Sequence, residues 1–175
     1  MTALFRGRLG RTSTVPPLEP IPAIADLPQA KMQASARYLG TLTVPADGGP
    51  GEAVVGRSLA ARSAARLSLS AEALDVVRIA GSFRIRTTAL RGARTAERFK
   101  GKPVSDLLLV RWEHEGHQWE TGFRLDPART VRDAAKAPLA GGKGAARPDT
   151  GAWVRTISKL ARANTTTEEN RGTTA

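Results

Sequence analysis

The 175-residue chain contains no cysteine, which removes disulfides, thiolate metal sites and thiol nucleophiles in one step. No run of 18 apolar residues occurs, so no segment is expected to cross a bilayer as a helix. Charges flank the apolar residues between Met1 and Arg11, which breaks up the apolar stretch a signal peptide needs. Aromatic residues make up only 5%, leaving few platforms on which nucleic-acid bases could stack. Acidic residues are also scarce, with 16 Asp and Glu against 27 Lys and Arg and a net charge of +11. No Ser-His-Asp set or pair of catalytic carboxylates can be assembled, and Gly48-Gly49-Pro50-Gly51 lacks the Lys-Ser/Thr that completes a phosphate loop. No catalytic residue, cofactor or resident metal is expected, and the chain does not read as an enzyme.

What is present includes a strand pair whose register is legible residue by residue. Asp106 to Leu125 alternates about Glu115-Gly116, a two-residue turn sequence. That turn sets His114 against His117, Trp112 against Trp119, Val110 against Thr121 and Leu108 against Phe123 on one face. On the other face Arg111 meets Glu120 and Glu113 meets Gln118, the separation a half-buried sheet requires. His114 and His117 have only Glu113 or Glu115 as a local third donor, so a histidine pair at a hairpin tip is a simpler reading than a metal site.

Upstream, alternation predicts strands over 37–44, 62–70, 74–79, 83–87 and 91–99, giving seven with the hairpin. Turn chemistry separates them at Pro45 to Gly51, Ala80-Gly81 and Lys100-Gly101. The stretch Glu52 to Ala61 has the composition of a short helical turn. Asp126-Pro127 starts a predicted helix over 127–137. A second helix over 152–163 presents Trp153, Ile157 and Leu160 as one apolar stripe, with Asp149 or Thr150 as its cap. Residues 1–34 read as a tail and linker, basic at Arg6, Arg8 and Arg11 and then proline-rich. The domain spans 35–163, with an insertion at 138–150, and 164–175 carries no apolar pattern and is expected to be disordered.

Most of the positive charge is arginine, since only Lys31, Lys100, Lys102, Lys136, Lys143 and Lys159 are lysines. Arg57 to Lys102 alone carries a charge of +8. Arg62, Arg66, Arg84 and Arg86 fall on solvent-side strand positions and Arg57, Lys100 and Lys102 in loops, which makes these seven the candidate partner-binding residues. A cationic surface of this kind suits a phospholipid headgroup, an acidic protein face or nucleic acid. The scarcity of aromatics places nucleic acid second.

Specific residues go further. Gly56-Arg-Ser-Leu-Ala-Ala-Arg-Ser-Ala-Ala-Arg-Leu-Ser-Leu69, Phe83-Arg-Ile85, Gly101-Lys102, Leu108-Leu-Val-Arg-Trp112 and Trp119-Glu-Thr-Gly-Phe-Arg124 resemble the pleckstrin-homology-like (PH-like) domain proteins of actinobacteria, often labelled transporters or export proteins. The resemblance covers about residues 37 to 163. It implies a mainly β (α+β) fold, a seven-stranded bent antiparallel sheet or partly open barrel capped by a C-terminal helix. It also implies a non-enzymatic binding or adaptor module for a protein partner or an anionic membrane surface, with nucleic acid as the alternative. A cytoplasmic location follows, with the inner face of the cell membrane left open. Such proteins typically carry one N-terminal transmembrane helix before a basic segment and proline-rich linker. Here the segment and linker are recognisable and the helix is not, which points to a late start or to a start codon upstream.

Overall fold

Alternating apolar residues and tight turns fold into a sheet whose two halves are joined through the first strand. The computed structural model describes residues 15–127 and 147–172. The basic start at Arg6, Arg8 and Arg11, residues 128–137 of the first expected helix and most of the 138–150 insertion lie outside the described residues. Seven strands follow in order: β1 Met32–Thr43, β2 Ser63–Leu69, β3 Ala73–Val77, β4 Phe83–Arg86, β5 Leu90–Phe99, β6 Lys102–His114 and β7 His117–Leu125. They form one antiparallel sheet in the order β4-β3-β2-β1-β7-β6-β5. The sheet is open between β4 and β5, which are consecutive in the chain and joined by a 3-10 turn at Thr87–Ala89. A helix, α1 Thr150–Gly172, lies along β5 and against that turn and β6. The chain thus has the seven-stranded sheet and single C-terminal helix, among the described residues, of a PH-like fold.

The hairpin adopts the register set by its turn, from His114 opposite His117 through Trp112 opposite Trp119 to Leu108 opposite Phe123. Glu115 and Gly116 both have positive φ (48° and 75°), as do Lys100 and Gly101 (51° and 75°). Both are the mirror-image turns whose twist matches the flanking strands. Gly122 is required for another reason. A Cβ there would fall 2.8 to 3.0 Å from the Phe99 ring, so β7 can pass beneath that ring only without a side chain.

Inward-facing residues of every strand make one core. Tyr38, Phe83, Trp112, Trp119 and Phe123 form its aromatic centre, with Phe83 and Trp112 stacked at 5.9 Å and Trp112 and Trp119 edge to face at 5.1 Å. A one-way chain of hydrogen bonds crosses this core. Trp112 Nε1 can only donate and the Leu59 carbonyl can only accept, so protons run from Trp112 to Thr121 (2.9 Å), Thr41 (2.8 Å), Tyr38 (2.7 Å) and Leu59 O (2.6 Å). Burial pushes the Tyr38 hydroxyl pKa up, which keeps its donated proton in place. A smaller cluster of Leu39, Phe99, Leu107 and Leu109 lies on the opposite, outer face of the sheet.

Several elements depart from the sequence pattern. β1 begins at Met32, inside the segment expected to be linker. Residues 56–60 form turns rather than a helix, because Arg57 and Ser58 adopt left-handed backbone (φ 49° and 58°) to bring Leu59 into the core. Asp149 caps α1 by accepting from the Ala152 N–H at 2.9 Å. The helix buries Trp153, Ile157 and Ala161, then continues past Ala163 to Gly172. That extension is anchored by Asn164, whose side-chain amide donates to the Thr87 and Leu90 carbonyls on the sheet.

Candidate functional site

The seven candidate cations separate once the strands are paired. Arg84 does sit on the outer face, as strand alternation requires, yet it is buried rather than solvated. The register places it opposite Asp75, and its Nε and Nη2 donate to the two carboxylate oxygens at 2.7 and 2.9 Å. Arg86 is exposed but held by Glu19, to which its Nε donates at 2.8 Å. Arg57 turns back to donate to the Val15 carbonyl at 3.3 Å. Lys102, expected in a loop, is the exposed first residue of β6, opposite Phe99.

Lys100 is brought near Arg62, and β1 and β7 add, on the face that carries Arg66, two arginines that sequence reasoning missed. Arg37 lies directly opposite Arg124 across the β1–β7 ladder, and on the other side opposite Ala64 of β2. Arg66 is two residues further along β2 on the same face, paired with Ser35. Lys100 reaches back over β1, where its Nζ occupies the space 2.6 Å from a Cβ at Gly40. Burial, and then repulsion from Arg62, hold the Lys100 pKa below the usual lysine range. Among the described residues, none of Arg37, Arg62, Arg66, Lys100 and Arg124 has an acidic partner. Beside them Arg94 and Arg111 share the single carboxylate of Glu120, at 2.9 and 3.5 Å, so that group also keeps a net positive charge. Like charges directly across a ladder are destabilising. The Arg37–Arg124 pair is therefore hard to explain by stability alone, and an anion between them would relieve it.

The segment before β1 is part of the domain surface. Val15 is buried against Gly56, where a Cβ would come within 2.9 Å of its Cγ2, and Leu18 packs on the main core. The Arg84 N–H donates to the Glu19 carbonyl at 2.9 Å, so residues 15–19 run as a strap along the free edge of β4. The Pro17 carbonyl lies 3.0 Å from His114 Nε2. A cleft of about 260 Å³ remains between the strap, β4 and Trp112. His114 itself packs on the Trp112 and Trp119 rings.

Hydrogen bonds from Arg86 hold the Glu19 carboxyl pKa below its ordinary 4.5 despite partial burial. A depressed carboxyl pKa adds stability that is complete above the unfolded value and is lost as pH falls through the folded value. Both side chains are solvent-exposed, so screening keeps the contribution of the pair small. Glu19→Gln is accordingly expected to lower stability slightly at neutral pH, with the difference from the parent vanishing as pH drops below 4.5. Urea titrations at both pH values would show it, and an undiminished difference in acid would refute the pairing.

All three tryptophans, Trp112, Trp119 and Trp153, are buried and offer no stacking platform. The described residues contain no grouping of three or more His, Cys, Asp or Glu able to hold a metal, and no described helix is long and apolar enough to cross a membrane. No curated protein matches the chain. The family described as bacterial PH domain-like matches it over residues 15–138, from the strap at Val15 through all seven strands, and the chain belongs to that family.

Proposed function

We propose that this protein is a non-enzymatic binding module that engages an anionic partner surface through the outer face of its sheet. The observation that carries this reading is the set of five cations without acidic partners among the described residues, Arg37, Arg62, Arg66, Lys100 and Arg124, supplied by β1, the residue before β2, β2, the β5–β6 turn and β7. Exposed Arg57 in a turn and Lys102 at the start of β6 flank it, while Arg84 and Arg86 are occupied by carboxylates. The first part of the β1–β2 connection, Val44 to Gly51, contains no Lys or Arg, and its second part supplies Arg57 and Arg62. Membership of a PH-like family fits an adaptor role, at a cytoplasmic location facing an acidic protein or the inner leaflet. Nucleic acid is the less favoured partner, because phosphate contacts alone would have to hold it.

Binding to anionic vesicles, to an acidic protein and to duplex DNA at one fixed ionic strength tests this. Each arginine near an anionic surface contributes about 1 kcal/mol, so Arg37→Gln with Arg124→Gln should weaken binding about 30-fold. Lys159→Gln with Arg162→Gln removes the same charge from exposed positions on α1 and should change little. Equal losses from the two pairs would mean that net charge, not the outer face, does the binding. Preferential binding of DNA would replace this reading with the nucleic-acid one.

A further inference from the structure

The turn between β3 and β4 stands at the edge of the cationic face and carries the most exposed aliphatic side chain of the sheet. Ile79 is fully exposed and Val77 is 46% exposed. Register ties them to the cations, since Val77 lies opposite Arg66 and Ala64 lies opposite Arg37. Val77, Ile79 and Ala64 line one shallow, open cleft of about 330 Å³ on this side of the sheet. The aliphatic patch and the arginine cluster are therefore contiguous.

The exposure of Ile79 is imposed by its neighbours. Arg78, buried directly before it, donates from Nε to the Gly81 carbonyl at 2.8 Å and from Nη2 to the Ser58 carbonyl at 3.0 Å. Its backbone N–H donates to Ser82 Oγ, which donates back to the Arg78 carbonyl. The turn is thus fastened at both ends and holds Ile79 outward. Isolated exposed apolar residues are common on protein surfaces. A fastened aliphatic tip beside arginines that have no acidic partner among the described residues is a more specific arrangement. An acidic protein surface would need an apolar pocket placed to match Ile79. An anionic bilayer supplies charge and apolar phase together, with phosphates at headgroup level and acyl chains just beneath.

We propose that the β3–β4 turn is a membrane-docking tip, with Ile79 and Val77 entering the interface of an anionic bilayer while Arg37, Arg62, Arg66 and Arg124 hold its phosphates. This rests on the reading of the outer face as an anion-binding surface and assigns that surface to lipid.

The absence of native cysteine makes one reporter position unique. Ile79→Cys, labelled with an environment-sensitive fluorophore, should shift to the blue on vesicles of phosphatidylcholine with a third of phosphatidylglycerol, and be quenched by lipids carrying a shallow quencher. Because a fluorophore can itself favour the bilayer, the full chain with Val77→Ser and Ile79→Ser is measured in parallel. Its affinity for the same vesicles should fall about tenfold or more, with binding to an acidic protein and the circular dichroism spectrum unchanged. Vesicle binding by the parent that is indifferent to the double serine change would overturn the docking tip while leaving the anion-binding face standing. The same holds if the parent binds only the acidic protein. Failure to bind any of these anions would remove both.

Discussion

Replacing Arg78 with alanine is expected to lower the free energy of unfolding by about 3 kcal/mol, measured by urea denaturation. Among the described residues the buried guanidinium has no carboxylate partner, and three carbonyls hold it: Gly81 at 2.8 Å, Ser58 at 3.0 Å and Ala61 at 3.2 Å. It also lies 4.0 Å above the centre of the Tyr38 ring. Burial lowers its pKa from the ordinary arginine value, while the aromatic faces and carbonyl dipoles compensate the buried charge. Alanine would take the donor from the Ala61 carbonyl, leave the Ser58 carbonyl only the Ala61 N–H, and open a void against Tyr38 and Phe83. That segment also supplies the Leu59 carbonyl that ends the core hydrogen-bond chain, so the damage should spread inward. Arg78→Lys preserves charge but not the planar fork that reaches three carbonyls, and should recover less than half of the loss. A fully stable lysine variant would mean that charge alone matters there.

Asp75→Ala should cost about 3 to 4 kcal/mol, since it leaves a buried cation without its partner. The Asp75 and Arg84 side chains are 7% and 2% exposed, and their bidentate contact fills one rung of the β3–β4 pair. Buried ion pairs often gain little over an apolar pair of similar volume, so the pair and its halves should behave differently. The double change Asp75→Leu with Arg84→Met is expected to be more stable than Asp75→Ala alone. Denaturation of the parent and the two variants checks this, and a double variant no more stable than Asp75→Ala would show that the two side chains do not form one unit.

These two arginines show where the sequence is legible. Alternation correctly places Arg84 opposite in facing to Phe83 and Ile85, because parity along a strand is a local property. Its burial follows from Asp75 across the ladder and from the strap that crosses the β4 edge at Glu19. The strap itself was unreadable. Proline-spaced residues without strand alternation look like linker until Val15 meets Gly56 and Leu18 meets the core. The same limit applies at the other end. Residues after Ala163 lack an apolar stripe, but Asn164 docks them by hydrogen bonds to Thr87 and Leu90, and a polar contact leaves no periodic signal.

The hairpin and the cationic face mark the two extremes. From Asp106 to Leu125 the sequence alone determined the turn, the register and the division into faces, because a two-residue turn fixes every pair that follows it. The strand count and the apolar stripe of the helix were equally local. Which charges remain available was decided only by the tertiary structure. Eleven basic residues between Arg57 and Lys102 look alike in the chain, and folding neutralises Arg84 and Arg86, buries Arg78 and leaves Arg62 and Arg66 open. It also sets Arg37 against Arg124 from strands far apart in sequence. A charge is spent or kept according to what lies within a few ångströms of it, and that neighbour is supplied by pairing between distant strands.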